Sequence, residues 1–485
     1  MSGNMPDNIK VRFAPSPTGY LHIGGVRTAI YNCLFARRHG GQYLLRIEDT
    51  DRERSTPEAV AQILDSLQWL DLMPDSEPVY QSQRTELYQR YIKRLLEEGK
   101  AYKCYCTPEE LEAKRQKAIK EKVTYKYDGT CRDLDPDEDH GDKPFVIRFK
   151  TPKVYPDHFD DLILGTLPID EERMDDWIVA RRDGSPTYNF CVVVDDADMG
   201  ITHVIRGNDH VSNTPKQILL YKELGFPVPK FAHMPLTHGP DGSKLSKRKE
   251  EQYRKLGISV SVQEYRKMGY LPHALLNYLT RLGWGHGDQE VFTRQELEQA
   301  FDLDGVGKSA SIMDPEKLKW LNAHYIMETK NEDLAELLLP FLKERSFEIE
   351  PGERLLKIVA TLKQRAKTLE DMAEAARFYF EKPTEYDPKA RKKWWKADAV
   401  DILKRLRSII LEADLDDGEA MEKKFKMLAD EMTGGKLGKV AQPLRVAISG
   451  KAATPSLFEV MPIIGRDEIV ERIDNAIAEL ETSRG

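Results

Sequence analysis

Residues 12–25 read Arg12-Phe-Ala-Pro-Ser-Pro-Thr-Gly-Tyr-Leu-His-Ile-Gly-Gly25. The run that leads into them, Ile9-Lys-Val-Arg-Phe13, alternates apolar and polar residues as a half-buried strand does. Pro15, Pro17 and Gly19 then forbid regular structure. Beyond them Val26, Ala29, Ile30, Cys33 and Leu34 fall at helical spacing, and the pattern stops at Gly40-Gly41. Strand, glycine-containing loop and helix in that order put the loop at the carboxyl end of the strand, where open α/β folds bind ligands. Helix N-termini favour phosphate through their free N–H groups and dipole. Glycine lets a nucleotide approach the backbone, and His22 carries a donor for a phosphate oxygen. A tight turn with a structural histidine fits the same composition.

Outward from this loop the rhythm continues. Tyr43-Leu-Leu-Arg-Ile47 is predicted as a second strand. Ser55-Thr56 cap a helix with Pro57 in its first turn and Val60, Ile63, Leu64 and Leu67 as its stripe. This is the βαβ pattern of a parallel sheet. It breaks over 101–185, which holds three of the five cysteines and a charged helical run, Glu109 to Glu121, and which reads as an inserted subdomain. The pattern resumes at Phe190-Cys-Val-Val-Val194, predicted as a strand buried on both faces. His203–Ile205 and Phe231–Met234 are predicted strands, and Asn213-Thr-Pro215 opens a helix closing near Gly225. From about residue 260 only helical spacing remains, over Leu271–Leu282, Pro315–Ala323, Leu334–Phe341, Leu355–Phe380, Ala399–Ala413 and Asp467–Leu480.

The chain has 485 residues, 40% of them hydrophobic and 32% charged, enough for more than one folded core and too apolar for a disordered chain. No apolar run reaches the roughly 20 residues needed to span a bilayer. The polar start lacks the core of a secretory signal, and five cysteines do not form a paired framework. A cytoplasmic location is expected. The net charge of −8 argues against a protein that grips nucleic acid over its whole surface, but not against local basic patches. One such patch, Lys389 to Arg407, sets eight basic residues against two acidic ones around Trp394-Trp395.

A second loop, Lys244-Leu-Ser-Lys-Arg248, follows Gly239-Pro-Asp-Gly242 and carries three cations suited to a triphosphate or a departing pyrophosphate. Alone it reads as a solvated basic turn. Paired with the His22 loop it resembles the HIGH and KMSKS signatures of class I aminoacyl-tRNA synthetases. Leu45-Arg-Ile-Glu-Asp-Thr-Asp51, Pro186-Thr-Tyr-Asn-Phe-Cys-Val-Val-Val-Asp-Asp196, Val204-Ile-Arg206, Leu279-Thr-Arg-Leu-Gly-Trp284 and Gly438-Lys-Val-Ala-Gln-Pro-Leu-Arg445 are similar to stretches of the bacterial glutamyl-tRNA synthetases. These stretches run in order along nearly the whole chain.

The resemblance implies an α/β Rossmann-type class I synthetase catalytic domain with an inserted acceptor-binding subdomain, followed by an all-α anticodon-binding half. The expected division is 8–100 and 186–250 for the catalytic fold, 101–185 for the insertion, 251–330 for a helical stem-contact domain and 331–485 for the anticodon domain. It implies ATP-dependent attachment of L-glutamate to tRNA(Glu), with Mg2+ accompanying ATP. Arg12 and Arg206 would answer the glutamate carboxylates, with Glu48 on the amino group, Tyr188 orienting the side chain and Ser16 along the loop. ATP would lie against Thr18, His22, Gly24, Gly25, Lys244, Ser246 and Lys247, of which His22, Lys244 and Lys247 would stabilise charge on phosphate. A guanidinium can grip a carboxylate with two parallel hydrogen bonds; a surface ion pair is the plainer reading of Glu48 and Arg206 taken alone.

Cys104, Cys106 and Cys131 point to Zn2+, which takes four ligands in a structural site. The zinc-binding relatives place a histidine two residues after the third cysteine, where this chain has Asp133. Asp133, Tyr127 and His140 are the candidates for the fourth ligand, and three reduced thiols without metal are the alternative. Cys33 and Cys191 lie in apolar runs and read as core. Lys249 to Gly257 reads as an insertion after the second loop, and Asn208 stands where relatives often carry an acid. Gly305-Val-Gly-Lys-Ser309 lacks the earlier glycine of a phosphate-binding loop and reads as a turn. A monomer is expected, because each domain can bury its own core. Glutaminyl-tRNA synthetases are close kin but differ at Ala14-Pro-Ser-Pro17. An RNA-binding protein with a degenerate nucleotide fold, or a small-molecule adenylyltransferase, explains less of the chain. The sequence leaves open whether tRNA(Gln) is also charged.

Overall fold

A computed structural model of the chain describes residues 8–51, 54–135, 138 and 140–482, with the backbone alone at 247. In chain order the first half runs β1 (Lys10–Phe13), α1 (Ile23–Arg38), β2 (Gln42–Ile47), α2 (Pro57–Trp69), β3 (Val79–Tyr80), α3 (Thr85–Glu97), β4 (Ala101–Cys104) and α4 (Pro108–Glu121). It continues through β5 (Val146–Phe149), β6 (His158–Asp161), β7 (Gly165–Pro168), β8 (Ile178–Ala180), α5 (Tyr188–Asp198), β9 (His203–Gly207), α6 (Thr214–Glu223), β10 (Lys230–Met234) and α7 (Glu250–Lys255).

Strands β1, β2 and β3 pair in parallel, with Arg12 opposite Leu44. Strands β9, β10 and β6 pair in parallel, and β7 folds back antiparallel on β6. The start of β1 lies beside the start of β9: Thr202 N–H donates to the Lys10 carbonyl at 2.9 Å, and Lys10 N–H to the Thr202 hydroxyl at 2.9 Å. Helix α1 begins where the sequence places it, and Thr56 caps α2 by accepting from Ala59 N–H at 3.2 Å.

Two local readings change. Residues 190–194 are not a strand; they lie in α5, with Phe190, Cys191, Val192, Val193 and Val194 all almost wholly buried. Periodicity cannot separate a strand buried on both faces from a helix buried all round. Length could have, since no glycine or proline interrupts the stretch between Pro186 and Gly200. The segment 101–185 also does not fold as one piece. Strands β4, β5 and β8 make their own antiparallel sheet, whereas β6 and β7 join the sheet of β9 and β10.

The described residues fall into two compact units, 8–265 with 272–315, and 266–271 with 316–482. The second is helical throughout. Leu355–Phe380, continuous in the sequence pattern, is two helices, Glu353–Leu362 and Leu369–Phe380, the second capped by Thr368. No described helix is long and apolar enough to cross a membrane.

Candidate active site

The loop after β1 and the first turn of α1 form one wall of a cavity of about 450 Å³. Arg12, Ser16, Thr18, His22, Gly24, Gly25, Glu48, Tyr188, Arg206 and Lys244 all line it. Residues far apart in sequence meet there because the carboxyl ends of β1, β2 and β9 open on the same side as the start of α5. Ser246 is not part of that wall; its hydroxyl accepts from Arg248 N–H at 3.3 Å. The Lys247 side chain lies outside the described atoms.

His22 is the N-cap of α1, its Nδ1 accepting from Gly24 N–H at 3.0 Å. A nitrogen that accepts carries no proton, so the ring's proton sits on Nε2, which can donate. A Cβ on Gly25 would rest 3.5 Å from Leu21 Cδ1, an ordinary contact, so the protein's own packing does not require glycine there. Arg27, one turn on, is buried and donates through Nη1 to the Pro235 carbonyl at 2.8 Å and the Thr237 hydroxyl at 3.1 Å. It fastens α1 to the chain just after β10.

The floor of the cavity is a charge network. Arg12 grips Asp196 with Nε at 3.0 Å and Nη2 at 3.1 Å. Arg46, fully buried on β2, bonds Asp196, reaches Glu48 at 3.2 Å and lies 3.7 Å from Asp195. Asp195 also accepts from Gln81 and from Arg84 Nε, each at 2.7 Å, and from Tyr88. Burial pushes the Asp196 carboxyl up, but Arg12 and Arg46 together outweigh it and hold it down at about 2. For Glu48 burial prevails over Arg46 and Arg12, and its pKa rises. Adjacent on a helix, Asp195 and Asp196 point about 100° apart; they share Arg46, while Arg84 pairs with Asp195 and Arg12 with Asp196.

Arg206 is different. It is 5% exposed and has no ion-pair partner among the described residues. Its Nε donates to His233 Nε2 at 3.2 Å, and its Nη2 to the Thr214 hydroxyl at 2.8 Å and Gln217 Oε1 at 2.9 Å. Its Nη1 is buried without a hydrogen-bond partner. Burial lowers its pKa, a measure of the cost of that lone charge. Beside it, burial and then Glu48 push the Tyr188 phenol up to about 12, and the phenol meets His210 Nδ1 at 3.1 Å.

A family model for the catalytic domain of class I tRNA synthetases (E and Q) matches residues 8–320, and one for an anticodon binding domain matches 333–477. The chain belongs to the class I tRNA synthetases of the E and Q group. It is 50% identical to the glutamate–tRNA ligase of Geobacter sulfurreducens over 98% of this chain and 99% of that one. It is 48% identical to that of Geotalea uraniireducens over 97% and 98%. Among solved structures it is similar to a glutamate tRNA ligase from Elizabethkingia meningosepticum in complex with its amino acid. The TM-score is 0.86 at 34% identity, covering 98% of this chain and all of that one.

In this synthetase the thiols of Cys104, Cys106 and Cys131 converge, all within 4.8 Å of one another. The Tyr127 hydroxyl lies beside them, 3.3 Å from Cys104 Sγ and 3.7 Å from Cys106 Sγ. Asp133 is not there; it is 86% exposed and pairs with Lys150 at 3.6 Å. Two residues beyond a cysteine in a turn, its side chain points away to solvent. His140 packs at a tilt against Tyr105, ring centroids 4.1 Å apart, and is not among the converging thiols. Cys33 and Cys191 are core residues. Trp395 is buried and donates to the Pro443 carbonyl at 3.2 Å, whereas Trp394 is half-buried under Lys393. Helix α7 forms within the 249–257 stretch and buries Tyr253 against Gly239.

Proposed function

We propose that this chain is a glutamate–tRNA ligase that joins L-glutamate to the terminal ribose of tRNA(Glu) in two ATP-dependent steps. The observation that carries the reading is Arg206: a buried guanidinium with a partnerless Nη1, in the same cavity as the His22 helix end. A lone buried cation is costly unless a ligand anion completes it. A substrate carboxylate is that anion, and Nη1 is the nitrogen left to donate to it.

In the first step the glutamate α-carboxylate attacks the α-phosphorus of ATP and pyrophosphate leaves. In the second a ribose hydroxyl of the tRNA attacks the carbonyl carbon of the mixed anhydride and AMP leaves. No side-chain nucleophile takes part. His22 Nε2–H, Lys244 and Lys247 stabilise charge on the phosphates, and Thr18, Gly24 and Gly25 border the nucleotide. Mg2+ accompanies the ATP phosphates. Arg206 and Arg12 supply the cationic field for the carboxylates, Glu48 receives the ammonium, and Tyr188 and Ser16 orient the side chain. The enzyme works as a cytoplasmic monomer, with residues 331–485 reading the anticodon and the sheet of β4, β5 and β8 with its loops holding the acceptor end.

The thiols suit zinc. Bonds of about 2.3 Å at a tetrahedral centre put sulfurs roughly 3.8 Å apart, and Cys106 Sγ lies 3.6 Å from Cys131 Sγ. With Tyr127 as fourth ligand the ion would fasten β4 to the loop at 127–131. Purified protein is expected to carry about one zinc per chain by elemental analysis, lost in Cys131→Ser and retained in Asp133→Ala.

Attachment of radiolabelled glutamate to purified tRNA(Glu) and tRNA(Gln) tests the function. Charging of tRNA(Glu) alone defines a discriminating enzyme, and charging of both a relaxed one. Charging of neither removes the proposal.

A further inference from the structure

Arg206 is held from behind by two residues of other strands, His233 on β10 and Asp161 on β6. An arginine cannot accept, so the contact of Arg206 Nε with His233 Nε2 at 3.2 Å requires Nε2 to be bare. The single ring proton therefore sits on Nδ1, which faces Asp161 Oδ2 at 2.6 Å. The carboxylate is fixed in turn by backbone N–H groups, Ile163 at 2.9 Å and Leu164 at 2.8 Å to Oδ1, and His233 at 3.1 Å to Oδ2. Both side chains are almost wholly buried, and neither lines the cavity.

We infer that Asp161 and His233 are positioning residues for the substrate-binding Arg206: Asp161 fixes the histidine tautomer, and the bare Nε2 aims the guanidinium so that only Nη1 faces the ligand. This rests on the reading of Arg206 as the carboxylate site. His233, Thr214 and Gln217 hold the guanidinium with neutral acceptors, which orient it without cancelling its charge. A carboxylate in the place of His233 would orient it equally well but would remove the attraction for the substrate. Burial is the largest influence on the imidazole and, against the opposing pull of Asp161, holds its pKa below the ordinary value, so the ring stays neutral. The arrangement also explains why β6 belongs to the catalytic sheet: its last residue is Asp161, paired in register with Phe231.

Asp161→Asn is the informative change. Its amide oxygen can still accept from Ile163 and Leu164, but its NH2 donates to Nδ1, which drives the ring proton to Nε2 and against Arg206. In charging assays with the full enzyme and tRNA(Glu), KM for glutamate is expected to rise about 10- to 100-fold, the scale of a charge-assisted hydrogen bond. KM for ATP and for tRNA should stay within about twofold. His233→Gln in the wild-type background should keep KM for glutamate within about threefold, because its amide NH2 can donate to Asp161 while its oxygen accepts from Arg206. An unchanged KM for glutamate in Asp161→Asn, or equal losses for all three substrates, overturns the inference while leaving the ligase reading intact. Failure of the wild-type enzyme to charge glutamate removes both. Should the variants not fold, nitrogen-15 NMR of histidine-labelled wild-type protein decides the point. A neutral ring protonated at Nδ1, assigned to His233, supports the inference, and one protonated at Nε2, or an imidazolium, overturns it.

Discussion

Two buried arginines a few strands apart show how one side chain serves two purposes. Arg46 faces Asp195, Asp196 and Glu48, and its charge is consumed within the fold. Arg206 faces a neutral imidazole, a hydroxyl and an amide, and its charge is left over. Compensated charge holds the floor of the site together. Uncompensated charge on its wall is what a ligand can complete.

The comparison breaks first at Arg46. Arg46→Met strands Glu48 and weakens the hold on both aspartates, so unfolding by denaturant should show a loss of about 3–5 kcal/mol. Arg206→Met should change stability by about 1 kcal/mol or less, because relief of a lone buried cation offsets the hydrogen bonds lost. Similar losses in the two variants would erase the distinction.

Acid sharpens the same contrast. Asp196 titrates below its ordinary value in the fold, so its contribution is complete above about pH 5 and is lost as the pH falls through 4 toward 2. That contribution is on the order of 2 kcal/mol, and stability curves of Asp196→Asn should lack the corresponding slope. Glu48, whose pKa is raised, acts with the opposite sign: it favours the fold when protonated, and that preference fades as the pH rises through its folded pKa.

The smallest effect separates structure from ligand at the helix end. Gly25 is in the first turn of α1 with room for a methyl group, so Gly25→Ala should raise stability by about 0.5–1 kcal/mol. The same methyl would stand in the cavity, and KM for ATP is expected to rise about tenfold or more. A gain in stability with no change in KM for ATP would detach the glycine from nucleotide binding.

The loop at 14–25 was readable because its signals are local: prolines, glycines and a capping histidine act on their own neighbourhood. The same holds for β1, β2 and the Thr56 cap. What escaped was long-range. Arg27, Arg46, Asp161, Asp195, Asp196 and His233 have partners scores of residues away, and nothing beside them in sequence names those partners. The stretch at 190–194 differs for another reason: burial on every side hides the period that separates a helix from a strand. The fourth position at the thiols followed the same rule: Asp133 is nearer to Cys131 in sequence, but the turn brings Tyr127 to the sulfurs.

Steady-state charging kinetics of Arg206→Met against wild type test the central claim most directly. Loss of the lone guanidinium should raise KM for glutamate about 100-fold or more, leave KM for ATP within about twofold, and leave the unfolding midpoint nearly unchanged. An unaltered KM for glutamate in a folded variant would contradict the account, since the uncompensated charge would then have no substrate to meet.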